Sequence, residues 1–307
     1  PLERNNLVIT LMRKWFGLAL ISCFIVFLGA LAQPKQNQLT AAEPGVDIVQ
    51  PDYGEKLMHS HLGDRPVASP MVAQAPAAPV VSERVTYASV EGTSVEGYLA
   101  RPADATEPLP GLIVIHEWWG LNDNIEMMTD RLAGEGYVAL AVDLFEGQVA
   151  DQPEQAREQV QAASQTPERL EENLRQAYQY LQTEQGTTGV ASIGWCFGGT
   201  WSLNTALLLP NELDATVIYY GGQITTDPDT LSSLEMPILG IFGELDDNPS
   251  PETVREFEAA LSTLADIYIY ENADHAFANP SGTRYNAEAA EDAWERTIAF
   301  LNQHLKE

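Results

Sequence analysis

From Glu83 onward the chain alternates short apolar runs with longer segments whose apolar residues recur every three or four positions. The short runs read as strands and the longer segments as amphipathic helices. Strands are expected over residues 111–116, 137–144, 189–195, 215–220, 237–242 and 266–270, and their continuous apolar character is that of strands buried on both faces. Helices are expected over 123–134, 168–183, 200–209, 251–264 and 285–304. Two earlier strands, 84–89 and 95–100, are expected to pair antiparallel ahead of them. This alternation predicts one α/β domain over residues 83–307: a mainly parallel central sheet, helices on both faces and no large cap domain.

The preceding residues follow another pattern. Arg13-Lys14, an apolar run over 15–31 and the small-residue end Ala30-Leu31-Ala32 have the parts of a signal peptide. Residues 1–32 are therefore expected to direct export and to be cleaved, or, if retained, to anchor the chain in a membrane. Leu20-Ile21-Ser22-Cys23 also matches a lipoprotein box, although apolar sequence continues through Phe27 and Leu28. Residues 33–82, rich in Pro and Ala, read as an extended linker. His59 and His61 fall in it; with no further His or Cys nearby, solvated side chains are the expectation rather than a metal site.

Charge and cysteine count narrow the function. With 44 acidic against 16 basic residues and a formal net charge of −28, the surface repels phosphate backbones and anionic bilayers, so nucleic acid is excluded as a partner. Of the two cysteines, Cys23 lies in the leader, which leaves no structural disulfide and one thiol, Cys196, as a candidate nucleophile.

That thiol has the right neighbours. Gly194-Trp195-Cys196-Phe197-Gly198-Gly199 joins the end of an expected strand to the start of an expected helix, the G-x-C-x-G form of a nucleophile elbow. A buried structural cysteine before a Gly-Gly turn would look the same in isolation. An elbow enzyme, however, also needs an acid and a histidine later in the chain. Asp246 follows one strand in Gly243-Glu244-Leu245-Asp246-Asp247, with Asp247 the less favoured acid, and His275 follows the next in Ala273-Asp274-His275. All three leave the same edge of the sheet. His116-Glu117 opens like a zinc H-E-x-x-H motif, but the fifth position is Gly120 and the second ligand is missing.

Together with the run Ile115-His116-Glu117-Trp118-Trp119-Gly120-Leu121-Asn122 and the segment Asp274-His275-Ala276-Phe277-Ala278-Asn279, these motifs resemble the dienelactone hydrolase family over residues 83–307. The resemblance implies hydrolysis of small lactones or esters without metal or organic cofactor, with Cys196 as nucleophile, His275 as base and Asp246 as orienting acid. It implies that Glu117 contacts the resting thiol and gates it, that the backbone N–H groups of Phe197 and Trp118 form the oxyanion hole, and that Trp119 and Asn279 meet the substrate. Asn279 stands where dienelactone-cleaving members carry a carboxylate-binding arginine, and none of Arg157, Arg169 or Arg175 can be matched to a second one. A monomer acting on a small molecule is expected. The competing reading is a slow or non-catalytic binding protein on the same fold; a serine esterase using Ser192 or Ser202 is disfavoured because neither stands at an elbow.

Overall fold

The computed structural model describes residues 52–61, 63–66 and 75–306. All of them belong to a compact unit spanning Ala42–Glu307. The expected leader, residues 1–32, and the linker residues up to 51 lie outside the described residues. Among the described residues, no helix is long and apolar enough to cross a membrane.

A helix α1, Tyr53–Ser60, precedes two long strands, β1 (Val80–Val90) and β2 (Thr93–Pro102), which form an antiparallel hairpin. The strands that follow are β3 (Gly111–Ile115), β4 (Val138–Val142), β5 (Val190–Trp195), β6 (Ala215–Tyr219), β7 (Ile238–Gly243) and β8 (Ala265–Tyr270). The eight form one sheet in the order β1-β2-β4-β3-β5-β6-β7-β8. The pairings β1–β2 and β2–β4 are antiparallel and the rest are parallel. Every residue of β3 to β7 is buried, which is why their sequences show no polar alternation. The connecting helices are α2 (Asp123–Gly134), α3 (Pro153–Ser164), α4 (Pro167–Thr183), α5 (Phe197–Leu208), α6 (Pro228–Leu231), α7 (Pro251–Ala260) and α8 (Ala287–Leu305).

Several helix starts are set by side chains that satisfy otherwise unpaired N–H groups. Asn122 accepts from Ile125 N–H at α2, Ser250 from Thr253 N–H at α7 and Asn286 from Ala289 N–H at α8. Helix α7 is shorter than the 251–264 expected, because Leu261 is already extended and the chain is heading into β8. Helix α3 was not expected. Its buried residues are Ala156, Val160 and Ala163, small side chains that leave only a faint apolar stripe.

The linker reading of residues 33–82 needs correction where the structure describes them. Helix α1 is packed down, with Tyr53 and Leu57 fully buried, and β1 begins at Val80. The anchors are specific. Tyr53 Oη lies 2.9 Å from Thr200 Oγ1 in α5, and Arg157 in α3 pairs with Glu55 at 2.8 Å. Further along, Ser281 Oγ donates to Arg65 O at 2.9 Å, and Asn122 Nδ2 donates to Pro66 O. Residues 53–61 and 63–66 thus form a strap tied down at both ends.

Candidate active site

The elbow begins with a close approach of backbones. A Cβ on Gly194 would stand 2.0 Å from Gly198 O, and one on Gly198 would stand 2.2 Å from Ile115 O. Only glycine lets β5, α5 and β3 come this close. At the turn between them Cys196 has φ 57° and ψ −115°, a sparsely populated conformation that costs about 1–3 kcal/mol and persists because its surroundings fix it. Gly198→Ala is therefore expected to lower stability by about 3 kcal/mol or more, since the atoms it meets are backbone and cannot turn aside. Thermal unfolding of the variant checks this; an unchanged melting temperature would contradict it.

Three other strand ends deliver partners to the same carboxyl edge of the sheet. After β7, Asp246 is buried and its Oδ2 lies 2.8 Å from His275 Nδ1, while its Oδ1 accepts from Asn248 N–H at 2.8 Å. Asp247 is exposed and makes no such contact with the imidazole. After β8, His275 is itself buried, and its Nε2 has no hydrogen-bond partner. After β3 come Glu117, Trp118 and Trp119, all buried.

The sulfur is hydrogen-bonded to a residue that sequence reasoning set aside. His61 Nε2 lies 3.2 Å from Cys196 Sγ, and His61 Nδ1 lies 2.7 Å from Asp64 Oδ2. Asp64 is held in turn by Arg284 Nη2 at 2.7 Å and by the N–H of Thr283 at 3.1 Å. Arg284 also donates from Nε to His275 O at 2.8 Å, so the supports of the two imidazoles are joined. The His61 ring stacks on Trp118 with centroids 4.8 Å apart and meets His275 edge-on at 5.0 Å. The sequence carries a signal for the burial of His61, though not for its partner. Tyr53, Leu57 and His61 are spaced four apart and so share one helix face, which makes the histidine the polar end of an apolar stripe.

Electrostatics follow from this packing. Burial alone would push the Cys196 thiol up, but the imidazoles of His61 and His275 outweigh it and bring the thiol down to about 6. Burial also depresses His275, yet Asp246 and the sulfur lift it well above the ordinary imidazole value. His61 is raised in the same way, the sulfur and Asp64 overcoming desolvation. Glu117 is pushed up to about 7, first by burial and then by the nearby sulfur.

The thiol contact implied for Glu117 is not among the hydrogen bonds of this structure. Its Oε2 accepts from Asn279 Nδ2 at 2.8 Å and Asn124 Nδ2 at 3.4 Å, and its Oε1 has no partner. Asn279, expected to meet substrate, is 3% exposed and committed: its Oδ1 accepts from Ser281 N–H at 2.9 Å while its amide holds Glu117. Trp119 packs on Trp118 and on the edge of His61. Phe197 is the first residue of α5, where a backbone N–H has no intrahelical acceptor, and Trp118 lies in the turn closed by the Gly120 N–H to Glu117 O bond.

His116 is a structural residue. Leu144 N–H donates to its Nε2 at 3.1 Å, so its proton is on Nδ1, which faces Glu117 O at 2.6 Å. Cys196 Sγ and one ring nitrogen each of His61 and His275 lie within 4.8 Å of one another, and these are donor types that zinc can take. Two of the three are already engaged with each other through the 3.2 Å hydrogen bond.

Residues 95–305 match the dienelactone hydrolase family. The chain is 32% identical over 267 residues to a protein of Saccharolobus solfataricus named "Putative carboxymethylenebutenolidase", covering 73% of this chain and all of that one. Among solved structures, a "Putative Dienelactone Hydrolase" from Klebsiella pneumoniae subsp. pneumoniae superposes with a TM-score of 0.67 at 28% identity, over 73% of this chain and 99% of that one. A dienelactone hydrolase-like promiscuous phosphotriesterase from metagenomic libraries has the same fold, with a TM-score of 0.66 at 24% identity over 74% of this chain and 99% of that one.

Proposed function

This chain belongs to the dienelactone hydrolase family and is a hydrolase, and we propose that it cleaves small lactones or esters through a thioester on Cys196. The observation that carries this reading is the strained elbow thiol buried beside a His275–Asp246 pair, with the thiol lowered to about 6. A thiolate is the nucleophilic form of cysteine, and at neutral pH it dominates here.

In this reading the thiolate attacks the acyl carbon, and the developing oxyanion is met by the N–H groups of Phe197 and Trp118. His275, protonated through its bond to Asp246, gives its proton to the departing alkoxide. The neutral imidazole then takes a proton from water, whose oxygen attacks the thioester, and the acid leaves as the thiolate returns. The buried Trp118 and Trp119 rings supply an apolar wall for the acyl group.

Neutral substrates fit best. Arg284, the arginine that touches this cluster, is committed to Asp64 and the His275 carbonyl, and Asn279 to Glu117. An anion would enter against a chain of net charge −28 without an uncommitted arginine in this cluster to pair with, a contact ordinarily worth about 1.5–3 kcal/mol. For a matched pair of lactones with and without a carboxylate, kcat/KM is expected to favour the neutral member by roughly tenfold or more. Activity on a panel of such pairs tests the proposal: no turnover of any ester or lactone would overturn the hydrolase mechanism, and a preference for the anion that persists at high salt would overturn the substrate class.

A further inference from the structure

His275–Asp246 is one imidazole–carboxylate pair beside Cys196, but the sulfur is flanked by two such pairs. His61–Asp64 repeats the arrangement of His275–Asp246: a buried histidine with one ring nitrogen on a buried aspartate, at 2.7 and 2.8 Å respectively. The difference is in the other nitrogen. His61 Nε2 is hydrogen-bonded to the sulfur at 3.2 Å, whereas His275 has a ring nitrogen within 4.8 Å of the sulfur, near enough for the sulfur to raise the imidazole, but its Nε2 makes no hydrogen bond of that geometry. The structure therefore separates two duties that a single histidine would otherwise share.

We propose that His61, oriented by Asp64, is a second catalytic imidazole: it accepts the Cys196 proton in the resting enzyme and stays protonated beside the sulfur, leaving His275 free to serve leaving group and water. This rests on the thioester reading for its place in turnover, though not for the ionisation of the thiol. The S–H bond of Cys196 breaks and an N–H bond forms at His61 Nε2, giving a thiolate–imidazolium pair. During acylation the proton for the alkoxide comes from His275, and during deacylation His275 regains one from water. His61 keeps its proton throughout, and its charge makes the sulfur a stable leaving group when the tetrahedral adduct collapses.

Three observations support a built site rather than a chance contact. Asp64 is held at about 2 by His61, Arg284 and Thr283 despite burial, so it remains a carboxylate able to stabilise imidazolium. The His61 ring is fixed by stacking on Trp118, whose N–H is assigned to the oxyanion hole. The strap that carries it is tied down on both sides, through Tyr53 on Thr200 and through Arg65 and Pro66 on Ser281 and Asn122. Residues before the α/β domain thus complete its active site.

The other ionisable groups near the sulfur act in known directions. Glu117 opposes the thiolate once it ionises, at about pH 7. Tyr53 and Tyr220 are held protonated by burial first and by the neighbouring negative charges second. Asp246 acts through His275, as Asp64 acts through His61. Glu117 alone among these groups titrates inside the window of interest, so the His61 effect is read in a Glu117→Gln background as well as in the wild type.

The test is a pH titration of the thiolate by its ultraviolet absorbance, taken as each protein minus its Cys196→Ser counterpart, together with the pH dependence of single-turnover acylation. The wild type is expected to titrate near pH 6. His61→Gln is expected to move the midpoint up toward the ordinary thiol value of about 8.5, cutting acylation at pH 7 more than about tenfold while approaching wild-type rates in alkali. Asp64→Asn should move it the same way by less, and serves as the second variant if His61→Gln does not fold. An unmoved midpoint in a folded variant of either residue overturns the proposal. A moved midpoint in a protein that turns over no ester would sink the thioester reading and leave the dyad standing; turnover with an unmoved midpoint would do the reverse.

Discussion

His275→Gln is expected to lower kcat/KM for a good ester by about ten-thousandfold or more while leaving the fold intact. Glutamine can hold a hydrogen bond at that place but cannot carry a proton from water to a leaving alkoxide, and loss of a triad histidine typically removes most of the chemistry above the contribution of the oxyanion hole. The substitution leaves His61 in place, whose Nε2 is 3.2 Å from the sulfur in the unsubstituted protein, so the thiol should still ionise below its ordinary value. The defect should then fall on leaving-group departure and water attack rather than on formation of the thiolate. Steady-state kinetics beside the thiolate titration check this, and a variant retaining more than about a tenth of wild-type activity would contradict the role of His275.

Glu117→Gln is expected to stabilise the protein, by an amount that grows as pH rises from about 4.5 to about 7 and then levels off. The Glu117 carboxyl is 2% exposed and titrates at about 7 rather than at 4.5, because burial and the nearby sulfur disfavour its charge. A raised carboxyl pKa means that the folded state prefers the protonated form. The associated stability is fully present below about pH 4.5 and is lost as pH rises through about 7. That window corresponds to about 3 kcal/mol. Glutamine mimics the protonated acid and can still accept from Asn279, so the variant should match the wild type near pH 4 and exceed it by up to about 3 kcal/mol at pH 8.5. Urea unfolding of both proteins at the two pH values gives the difference directly. A gap that does not widen with pH would mean that Glu117 is charged without penalty where it sits.

The parts of the molecule that were legible in advance are those where one physical cause dominates. Strands β3 to β7 are buried on both faces and announced themselves as unbroken apolar runs. The elbow was legible because crossing backbones demand glycine at 194 and 198, and glycine at those two positions is visible in a sequence. That Asp246 and His275 would come together, as they do at 2.8 Å, was legible from the order of strands, since both emerge at the carboxyl edge where the elbow points.

What escaped has equally specific causes. Helix α1 is eight residues long, close to Pro- and Ala-rich sequence, and is stabilised by burial of Tyr53 and Leu57 against the domain rather than by its own propensity. His61 and Asp64 stand 135 and 220 residues from the groups they touch, Cys196 and Arg284, a pairing that no local pattern records. Asn279 was read by position as a substrate contact, but its amide is taken up by Glu117 and its carbonyl by Ser281. Such assignments depend on which neighbour reaches a group first, and only packing decides that.

The most direct measurement of the central claim is the mass of the enzyme during turnover of a slowly hydrolysed ester, quenched in acid and mapped by peptide. The mechanism predicts a gain equal to one acyl group on the peptide containing Cys196, lost again once substrate is exhausted and absent from Cys196→Ala, which should be inactive. An acyl group on any other residue, Ser192 or Ser202 included, or wild-type hydrolysis by Cys196→Ala, would contradict it.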